Sequence, residues 1–282
     1  MLRTRLWMGA ILIALAVGAL VFDRRLAPIH PFLLILILVL GLAACRELLQ
    51  LLGPQRQLPG WLCYLAVVSL TATNWLTHLL GASSPWPALA LVFALIVLAA
   101  FLVEMARFRE PGESVVRIAL VVWIVAYVGW LPCFLAQLHW LPDLSEAGHR
   151  GVLALAMTIF VPKMGDTGAY FTGRLLGKHK MSPVLSPKKT WEGAAGGMVA
   201  AVVTAIAINR LGPALSGGLL VEIGFGFTVG LIGLLGDLAE SLIKRDCQQK
   251  DASAVMPGFG GVLDVVDAIL FAAPVAYLWF LL

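Results

Sequence analysis

Residues 31–52 read PFLLILILVLGLAACRELLQLL, an apolar run whose only charged residues, Arg46 and Glu47, lie in its second half. A helix that crosses a membrane needs roughly 20 largely apolar residues, so this run is long enough to be one. Similar runs recur along the chain, which has 282 residues, 60% hydrophobic and only 13% charged. That is too little polar side chain to cover a soluble domain of this length. The composition excludes a water-soluble enzyme and predicts a polytopic membrane protein.

Apolar runs bounded by charged residues or by Pro and Gly clusters predict an all-α protein with about nine membrane-spanning helices. The sixth is the shortest, because its apolar run ends at Pro162-Lys163. A re-entrant segment between eight full spans is the alternative for it. The predicted spans lie near residues 6–22, 31–52, 61–81, 85–105, 115–138, 151–162, 187–209, 219–243 and 261–282.

Lys and Arg are distributed unevenly between the two sides that nine spans define. Of the 20 such residues, 16 lie on the side of the amino terminus and 4 on the other. Cytoplasmic loops carry the excess of positive residues in membrane proteins. We therefore expect a cytoplasmic amino terminus and a carboxyl terminus outside. Topology also accounts for the net charge of +4, so no nucleic-acid partner is expected.

The longest segment between predicted spans, residues 163–189, reads KMGDTGAYFTGRLLGKHKMSPVLSPKK. It contains one carboxylate, Asp166, among six Lys or Arg residues. An ordinary basic loop that touches anionic lipid heads has a similar composition. The order of residues favours a more specific interpretation.

Ser186 and Pro187 predict the start of a helix, with Ser as N-cap and Pro at the first helical position. Lys188 and Lys189 would then lie in the first turn, where the helix macrodipole disfavours cations. A bound anion would resolve this conflict. We therefore expect a phosphate-rich pocket for a polyphosphate, completed by Arg174, Lys178 and Lys180.

A second polar group runs from the eighth predicted helix into the ninth. Four residues share one helical face and two share a face of the next helix, by their spacing: Asp237, Glu240, Ser241 and Lys244, then Asp264 and Asp267. Ionisable groups at membrane depth cost on the order of 2.5 to 3.5 kcal/mol each, so they pair, bind an ion or line a cavity. Ion pairing of Asp237 and Glu240 with Lys244 and Arg245 is one interpretation. If an ion is bound, oxygen-only ligands favour magnesium.

The stretch 241–267, SLIKRDCQQKDASAVMPGFGGVLDVVD, closely resembles the carboxyl-terminal signature of phosphatidate cytidylyltransferases, also called CDP-diacylglycerol synthases. The upstream segments DTGAYFTGRLLGKHK and SPKKTWEG look like other blocks of the same family. The predicted nine-span outline is similar to that family along the whole chain. A long gapped match of this kind is far more specific than any short motif.

The resemblance implies that phosphatidic acid and CTP react to give CDP-diacylglycerol and pyrophosphate in phospholipid biosynthesis, with magnesium as cofactor. It implies one integral membrane unit in the cell (inner) membrane, with residues 1–150 as amino-terminal spans and 151–282 as the catalytic region. The active site would face the cytoplasm. Expected partners are CTP, phosphatidic acid and membrane lipids, and we allow for a homodimer.

The chemistry of the residues agrees with this reaction. A phosphate monoester is largely dianionic at neutral pH, because its second pKa is roughly 6. The nucleophile therefore needs no general base. Bringing it to the α-phosphorus of a triphosphate demands metal ions and fixed cations instead.

Carried over position by position, the resemblance implies three sets of site residues. The metal-binding carboxylates are Asp237, Asp264 and Asp267. The catalytic set comprises phosphate contacts and the carboxylate that holds the last of them: Lys244, Arg245 and Lys250, with Asp251. The substrate pocket comprises Asp166, Arg174, Lys178, Lys188, Lys189 and Ser241.

Two positions depart from the family pattern: Phe259 stands where the pattern has His, and Val265 where it has Arg. A divergent paralogue with altered activity is therefore one alternative. An ion-coupled transporter, whose intramembrane carboxylates would bind the coupling ion, is another, although we find no inverted repeat. A CDP-alcohol phosphotransferase would require a DGxxAR core, which this sequence lacks.

Overall fold

The structure is a computed structural model that describes residues 7, 14, 18, 22, 23, 26, 29–53, 56–144, 149–253, 256 and 260–282. Its helices are α1 (Pro31–Leu52), α2 (Gly60–Leu79), α3 (Trp86–Arg107), α4 (Ser114–Val125), α5 (Leu131–Leu138), α6 (Arg150–Leu176), α7 (Trp191–Asn209), α8 (Leu219–Asp246) and α9 (Leu263–Leu281). A π-helical turn, Ala126–Trp130, joins α4 to α5. Strands β1 (Lys180–Ser182) and β2 (Ser186–Thr190) form a hairpin between α6 and α7.

Seven helical segments of the described residues are long and apolar enough to cross a membrane. They are α1, α2, α3, the continuous α4–α5 segment, α7, α8 and α9. The prediction of an all-α polytopic membrane protein is thereby confirmed, while the count of nine spans is not. The predicted span near 6–22 lies largely outside the described residues, and Phe259 lies outside them entirely.

Helix α6 corrects the predicted sixth span, for which the sequence indicates an end at Pro162. The helix continues through Pro162 and runs for 27 residues to Leu176. A proline inside a helix removes a backbone hydrogen bond and costs about 3 kcal/mol. Here Pro162 is buried, and a Cβ built on Gly233 of α8 would lie 2.5 Å from it. Close packing of α8 at this point overrides the local signal.

The start of α7 corrects a second prediction, because the helix expected to begin at Ser186 begins at Trp191. Residues 186–190 pair instead with β1 in an antiparallel hairpin. The N-cap is Thr190, whose side-chain oxygen accepts a hydrogen bond from the N–H group three residues on. Lys188 and Lys189 thus lie on a strand. The conflict with the helix macrodipole, from which the anion pocket was inferred, does not exist.

The chain divides into two compact units. The first contains residues 1–136 and 251–263, and the second contains residues 137–250 and 264–282. Every predicted site residue except Asp251 belongs to the second unit.

Glu47 of α1 holds the last segment of the first unit in place. Its buried carboxylate accepts hydrogen bonds from the Ser253 hydroxyl at 2.6 Å and from the N–H groups of Val262 at 2.9 Å and Leu263 at 2.8 Å. A Cβ built on Gly261 would lie 2.5 Å from Glu47 Oε2, so this approach requires glycine. Because Leu263 is the first residue of α9, the same carboxylate caps that helix.

We predict that Glu47→Ala destabilises the protein, because all three hydrogen bonds lose their acceptor. A buried donor left without a partner costs about 1–3 kcal/mol. The measurement is the midpoint of thermal unfolding in detergent, together with protease cleavage within 251–263. Ser253→Ala is the matched control, since it removes one of the three hydrogen bonds and should lower the midpoint less. Equal midpoints for the two variants would contradict the role of Glu47.

Candidate functional site

Glycines bring α6 and α7 into backbone contact. A Cβ built on Gly197 would lie 2.8 Å from the carbonyl oxygen of Gly165, and one on Gly193 would lie 2.9 Å from that of Ala169. Side chains larger than hydrogen do not fit at such distances. Helices α6 and α7 therefore pack in direct backbone contact, and the hairpin connects them.

Gly233 and Gly236 of α8 lie one turn apart on the same face. The first meets Pro162 of α6, and a Cβ on the second would lie 2.8 Å from the carbonyl oxygen of Asp267 in α9. Helices α6 and α9 thus both approach α8 just before Asp237. Acidic residues of all three helices converge as a result.

The carboxylates of Asp237, Glu240 and Asp267 form the acidic triad: one oxygen from each lies within 4.8 Å of the others. Glu240 is fully buried, and its Oε1 has no hydrogen-bond partner among the described residues. Asp267 Oδ1 accepts hydrogen bonds from Lys163 Nζ at 3.1 Å and from the Ala268 N–H at 2.6 Å. In the described part of the chain, Asp267 Oδ2 accepts none. Oxygen donors with unused lone pairs fit a hard divalent cation.

Lys244 forms an ion pair with Glu240 and lies 2.5 Å from Asp264 Oδ1. Asp264, predicted as a metal ligand, is therefore placed against a lysine and is not a member of the acidic triad. The ion-pair interpretation describes this part of the site, because Glu240 and Lys244 do pair. It does not describe Arg245, which is exposed and donates hydrogen bonds to backbone carbonyl oxygens.

Two further lysines contact the carboxylates. Lys163 Nζ lies 3.1 Å from Asp267 Oδ1 and 3.8 Å from Asp166 Oδ2. Lys189 Nζ lies 2.7 Å from Asp237 Oδ2. The acidic triad is therefore partly neutralised by lysines of α6, β2 and α8.

Asp166 and Lys163 belong to α6, outside the seven candidate spans. Lys163 lies between the carboxylates of Asp166 and Asp267, and Asp166 also lines the cavity described next.

A cavity of about 400 Å³ adjoins the acidic triad, with Asp237 common to both. Residues of α6, the hairpin, α7 and α8 line it. Two of them are carboxylates, Asp166 and Asp237, and four are cations: Arg174, Lys180, Lys188 and Lys189. Several fixed cations beside a potential metal site suit a polyphosphate.

Two contacts hold the hairpin that carries three of these cations. Glu192, in the first turn of α7, accepts hydrogen bonds from the N–H groups of Lys178 and His179 and lies 2.6 Å from Nδ1 of His179. Arg245 Nε donates to the carbonyl oxygen of Leu185 at 3.3 Å, in the turn between the strands. The contacts of Arg245 therefore indicate a role in hairpin position.

The structure brings together most of the predicted site residues. Asp237 both lines the cavity and belongs to the acidic triad. Five other predicted residues do one or the other: Asp166, Arg174, Lys188, Lys189 and Asp267. Lys244 and Asp264 pair beside the triad. The others are not among the described residues that line the cavity: Lys178, Arg245 and Lys250 are exposed, Ser241 is buried in α8, and Asp251 is exposed in the first unit.

Sequence reasoning missed Lys163 and Glu240 as members of the site, whereas Lys180, which it placed in the phosphate-rich pocket, does line the cavity. Glu240 lies on the predicted polar face of α8, but the ion-pair interpretation covers it as well. Lys163 and Asp166 are spaced i, i+3, which is a shared helical face only if the helix continues past Pro162. That continuation depends on tertiary packing, so no local signal identifies Lys163.

Comparison with known proteins identifies the family to which this chain belongs. The chain matches the cytidylyltransferase family over residues 3–282 and belongs to that family. A phosphatidate cytidylyltransferase of Staphylococcus aureus is 30% identical over 192 residues, which are 68% of this chain and 70% of that protein.

Two further relatives match over shorter stretches. Phosphatidate cytidylyltransferases of Haemophilus influenzae and Brucella suis are 39% identical over 132 residues and 44% identical over 114 residues, respectively. These stretches are 45% and 40% of this chain. The chain thus spans less than half the length of these two relatives, 45% and 42%.

We predict that Gly236→Ala destabilises the protein, because the new methyl group would meet the backbone of α9. Overpacking of this kind costs about 1–3 kcal/mol. Gly165→Ala is the matched control, since its Cβ would meet α7 at 3.5 Å, an ordinary contact distance. The measurement is the thermal unfolding midpoint of both variants. A midpoint for Gly236→Ala equal to that of the control would show that α8 and α9 are not closely packed at this position.

Proposed function

We propose that this protein transfers the cytidylyl group of CTP to phosphatidic acid, giving CDP-diacylglycerol and pyrophosphate. The observation that carries the proposal is the cavity, which joins four cations to the acidic triad inside a membrane protein. Membership of the cytidylyltransferase family supports the nucleotide. The names of the relatives support phosphatidate as the acceptor.

The cations of the cavity bind CTP and compensate the negative charge of its triphosphate. Arg174, Lys180 and Lys188 bind the triphosphate oxygens and hold the α-phosphorus in reach of the lipid phosphate. The lipid phosphate oxygen forms a bond to that phosphorus, and the bond to pyrophosphate breaks. Because the lipid phosphate is already largely a dianion at neutral pH, with a second pKa of roughly 6, no side chain takes up a proton from it.

The acidic triad would hold the divalent cation, which we propose to be magnesium, as its oxygen donors favour. Bound there, the ion would neutralise negative charge on the phosphate groups during transfer. Two of the three predicted ligands, Asp237 and Asp267, fit this role. Glu240 takes the third place, because its buried Oε1 has no partner among the described residues, whereas Asp264 pairs with Lys244.

The two alternatives have less support. An ion-coupled transporter would use the intramembrane carboxylates, but it does not account for the cation-lined cavity or for the family match. A divergent paralogue rests on Phe259, which lies outside the described residues, and on Val265, which is not among the described residues that line the cavity. We therefore propose that the chain is active as it stands.

We place the protein in the inner membrane, with the cavity and the amino terminus on the cytoplasmic side, where CTP is available. The charge distribution along the sequence supports this orientation. At 1.5 Å per residue, the 27 residues of α6 measure about 40 Å, long enough to carry the chain across. The homodimer stays a prediction.

The proposal is tested by incorporation of labelled CTP into lipid by the purified protein, with and without magnesium. We expect product from the wild type and a loss of at least about 100-fold for Asp237→Asn, equivalent to roughly 2.7 kcal/mol. High magnesium should restore part of the loss, because the variant weakens ion binding. Asp246→Asn, an exposed change on the same helix, is the control.

Two outcomes would overturn the proposal in different ways. A wild type that forms no lipid product from CTP and phosphatidic acid would refute the reaction. An Asp237→Asn variant with normal magnesium dependence and a lower unfolding midpoint would refute the metal role and leave the ion pair with Lys189 as a structural contact.

The orientation has its own test in intact cells. In a Lys180→Cys variant, the new cysteine should react with an impermeant maleimide only after the membrane is permeabilised. A cysteine at Leu211, which is 79% exposed beyond the other end of α7, should react without permeabilisation. Both changes are made with Cys247→Ser to remove the native cysteine that is not buried. Labelling at position 180 from outside would contradict both the topology and the use of cytoplasmic CTP.

A further inference from the structure

Glu192 holds the segment that leads from α6 into the hairpin. One oxygen of its carboxylate accepts hydrogen bonds from the N–H groups of Lys178 at 3.1 Å and His179 at 3.2 Å. Its other oxygen lies 2.6 Å from Nδ1 of His179. The side chain of Glu192 is 27% exposed. Two consecutive backbone N–H groups and one imidazole ring therefore bind a single, partly covered carboxylate.

This carboxylate belongs to the first turn of α7, where the helix macrodipole stabilises a negative charge. The N-cap of the helix is a different residue, Thr190. The side-chain hydrogen bonds of Glu192 reach back to residues 178 and 179, which lie 14 and 13 positions earlier in the chain. Glu192 thus joins the start of α7 to the beginning of the hairpin.

The hairpin carries two cations whose charge is available to a ligand. Lys180 is paired with Thr190, and Lys188 lies two residues before Thr190, so the register places both lysines on one face of the hairpin. In the part of the chain that the structure describes, neither of them forms an ion pair, whereas Lys189 pairs with Asp237. Lys180 and Lys188 both line the cavity.

These lysines can meet a phosphate only if the strands that carry them stay in place. A two-stranded hairpin is marginally stable in water by itself, so it needs support from neighbouring elements. At its turn, the exposed Arg245 donates one hydrogen bond of 3.3 Å to the carbonyl oxygen of Leu185. At its base, Glu192 contacts three donor groups from a less exposed position. Glu192 is therefore the stronger anchor.

From this geometry we infer that Glu192 is a positioning residue for the nucleotide: it holds the hairpin so that Lys180 and Lys188 meet the triphosphate of CTP. Glu192 itself does not touch the nucleotide. The inference rests on the proposed function for the identity of the ligand. An anchor that supports the bound substrate and the transition state equally changes KM and leaves kcat as it is.

The test measures steady-state kinetics at varied CTP for two substitutions of Glu192. Glu192→Ala removes all three contacts, and we expect KM for CTP to rise about tenfold, equivalent to roughly 1.4 kcal/mol, with kcat changed by less than about twofold. Glu192→Gln keeps an oxygen for the backbone N–H groups and places an amide against the ring, so KM should rise by less than about threefold. Glu110→Ala, which removes an exposed carboxylate of the first unit, is the matched control and should leave both constants unchanged.

A spin label reads the position of the hairpin without any substrate. The label is attached to Val184→Cys, at the turn between the strands, where the native side chain is 84% exposed. Cys247→Ser removes the native cysteine that is not buried. We expect the label to become more mobile when Glu192→Ala is added and to stay restricted with Glu192→Gln.

In an active wild type, an unchanged KM or an unchanged label mobility in folded Glu192→Ala would overturn the inference, and so would a Glu192→Gln variant as impaired as Glu192→Ala. If Glu192→Ala does not fold, His179→Ala removes the ring contact alone and must still raise KM above that of Glu110→Ala; equal values would also overturn the inference. A wild type that forms no CDP-diacylglycerol would refute the proposed function, whereas a mobile label in Glu192→Ala would still identify Glu192 as the anchor of the hairpin.

Discussion

The close approach of α6 and α9 to a single face of α8 is the constraint from which the site follows. At Gly233 and Gly236 the neighbouring helices come so near that a Cβ would meet Pro162 or the backbone of Asp267. This contact places acidic groups of separate helices within a few ångströms of Asp237. Without it, the carboxylates would be dispersed along the spans, where each would face its own desolvation cost.

Concentrating negative charge in this way requires compensation within the same packed region. Lysines of α6, β2 and α8 supply it, each in contact with a different carboxylate. Among the described residues, the buried Oε1 of Glu240 has neither a hydrogen bond nor an ion-pair contact. Lysine pairing and the proposed ion binding are therefore compatible here. Lysines neutralise part of the charge, and a divalent ion bound at the triad would neutralise more of it.

Much of the site could be predicted from the sequence. The spacing of Asp237, Glu240 and Lys244 places them on one helical face, and the structure brings these residues into the acidic triad and its ion pair. The basic segment between spans indicated an anion pocket, and Arg174, Lys188 and Lys189 do line the cavity. The reason inferred for that pocket was wrong, since residues 186–190 form a strand rather than a helix start.

The sequence by itself determined the membrane class, most helix positions and the residue types of the site, because apolar run length and helical spacing are local properties. It also determined the family, through the motifs at 166–180, 186–193 and 241–267, and the match to the family extends over residues 3–282. Only the tertiary structure decided that α6 continues through Pro162, that Lys163 reaches Asp267 and that Asp264 pairs with Lys244. Each of these depends on how closely two helices pack, and a contact between residues some 20 to 100 positions apart leaves no periodic signal in either segment.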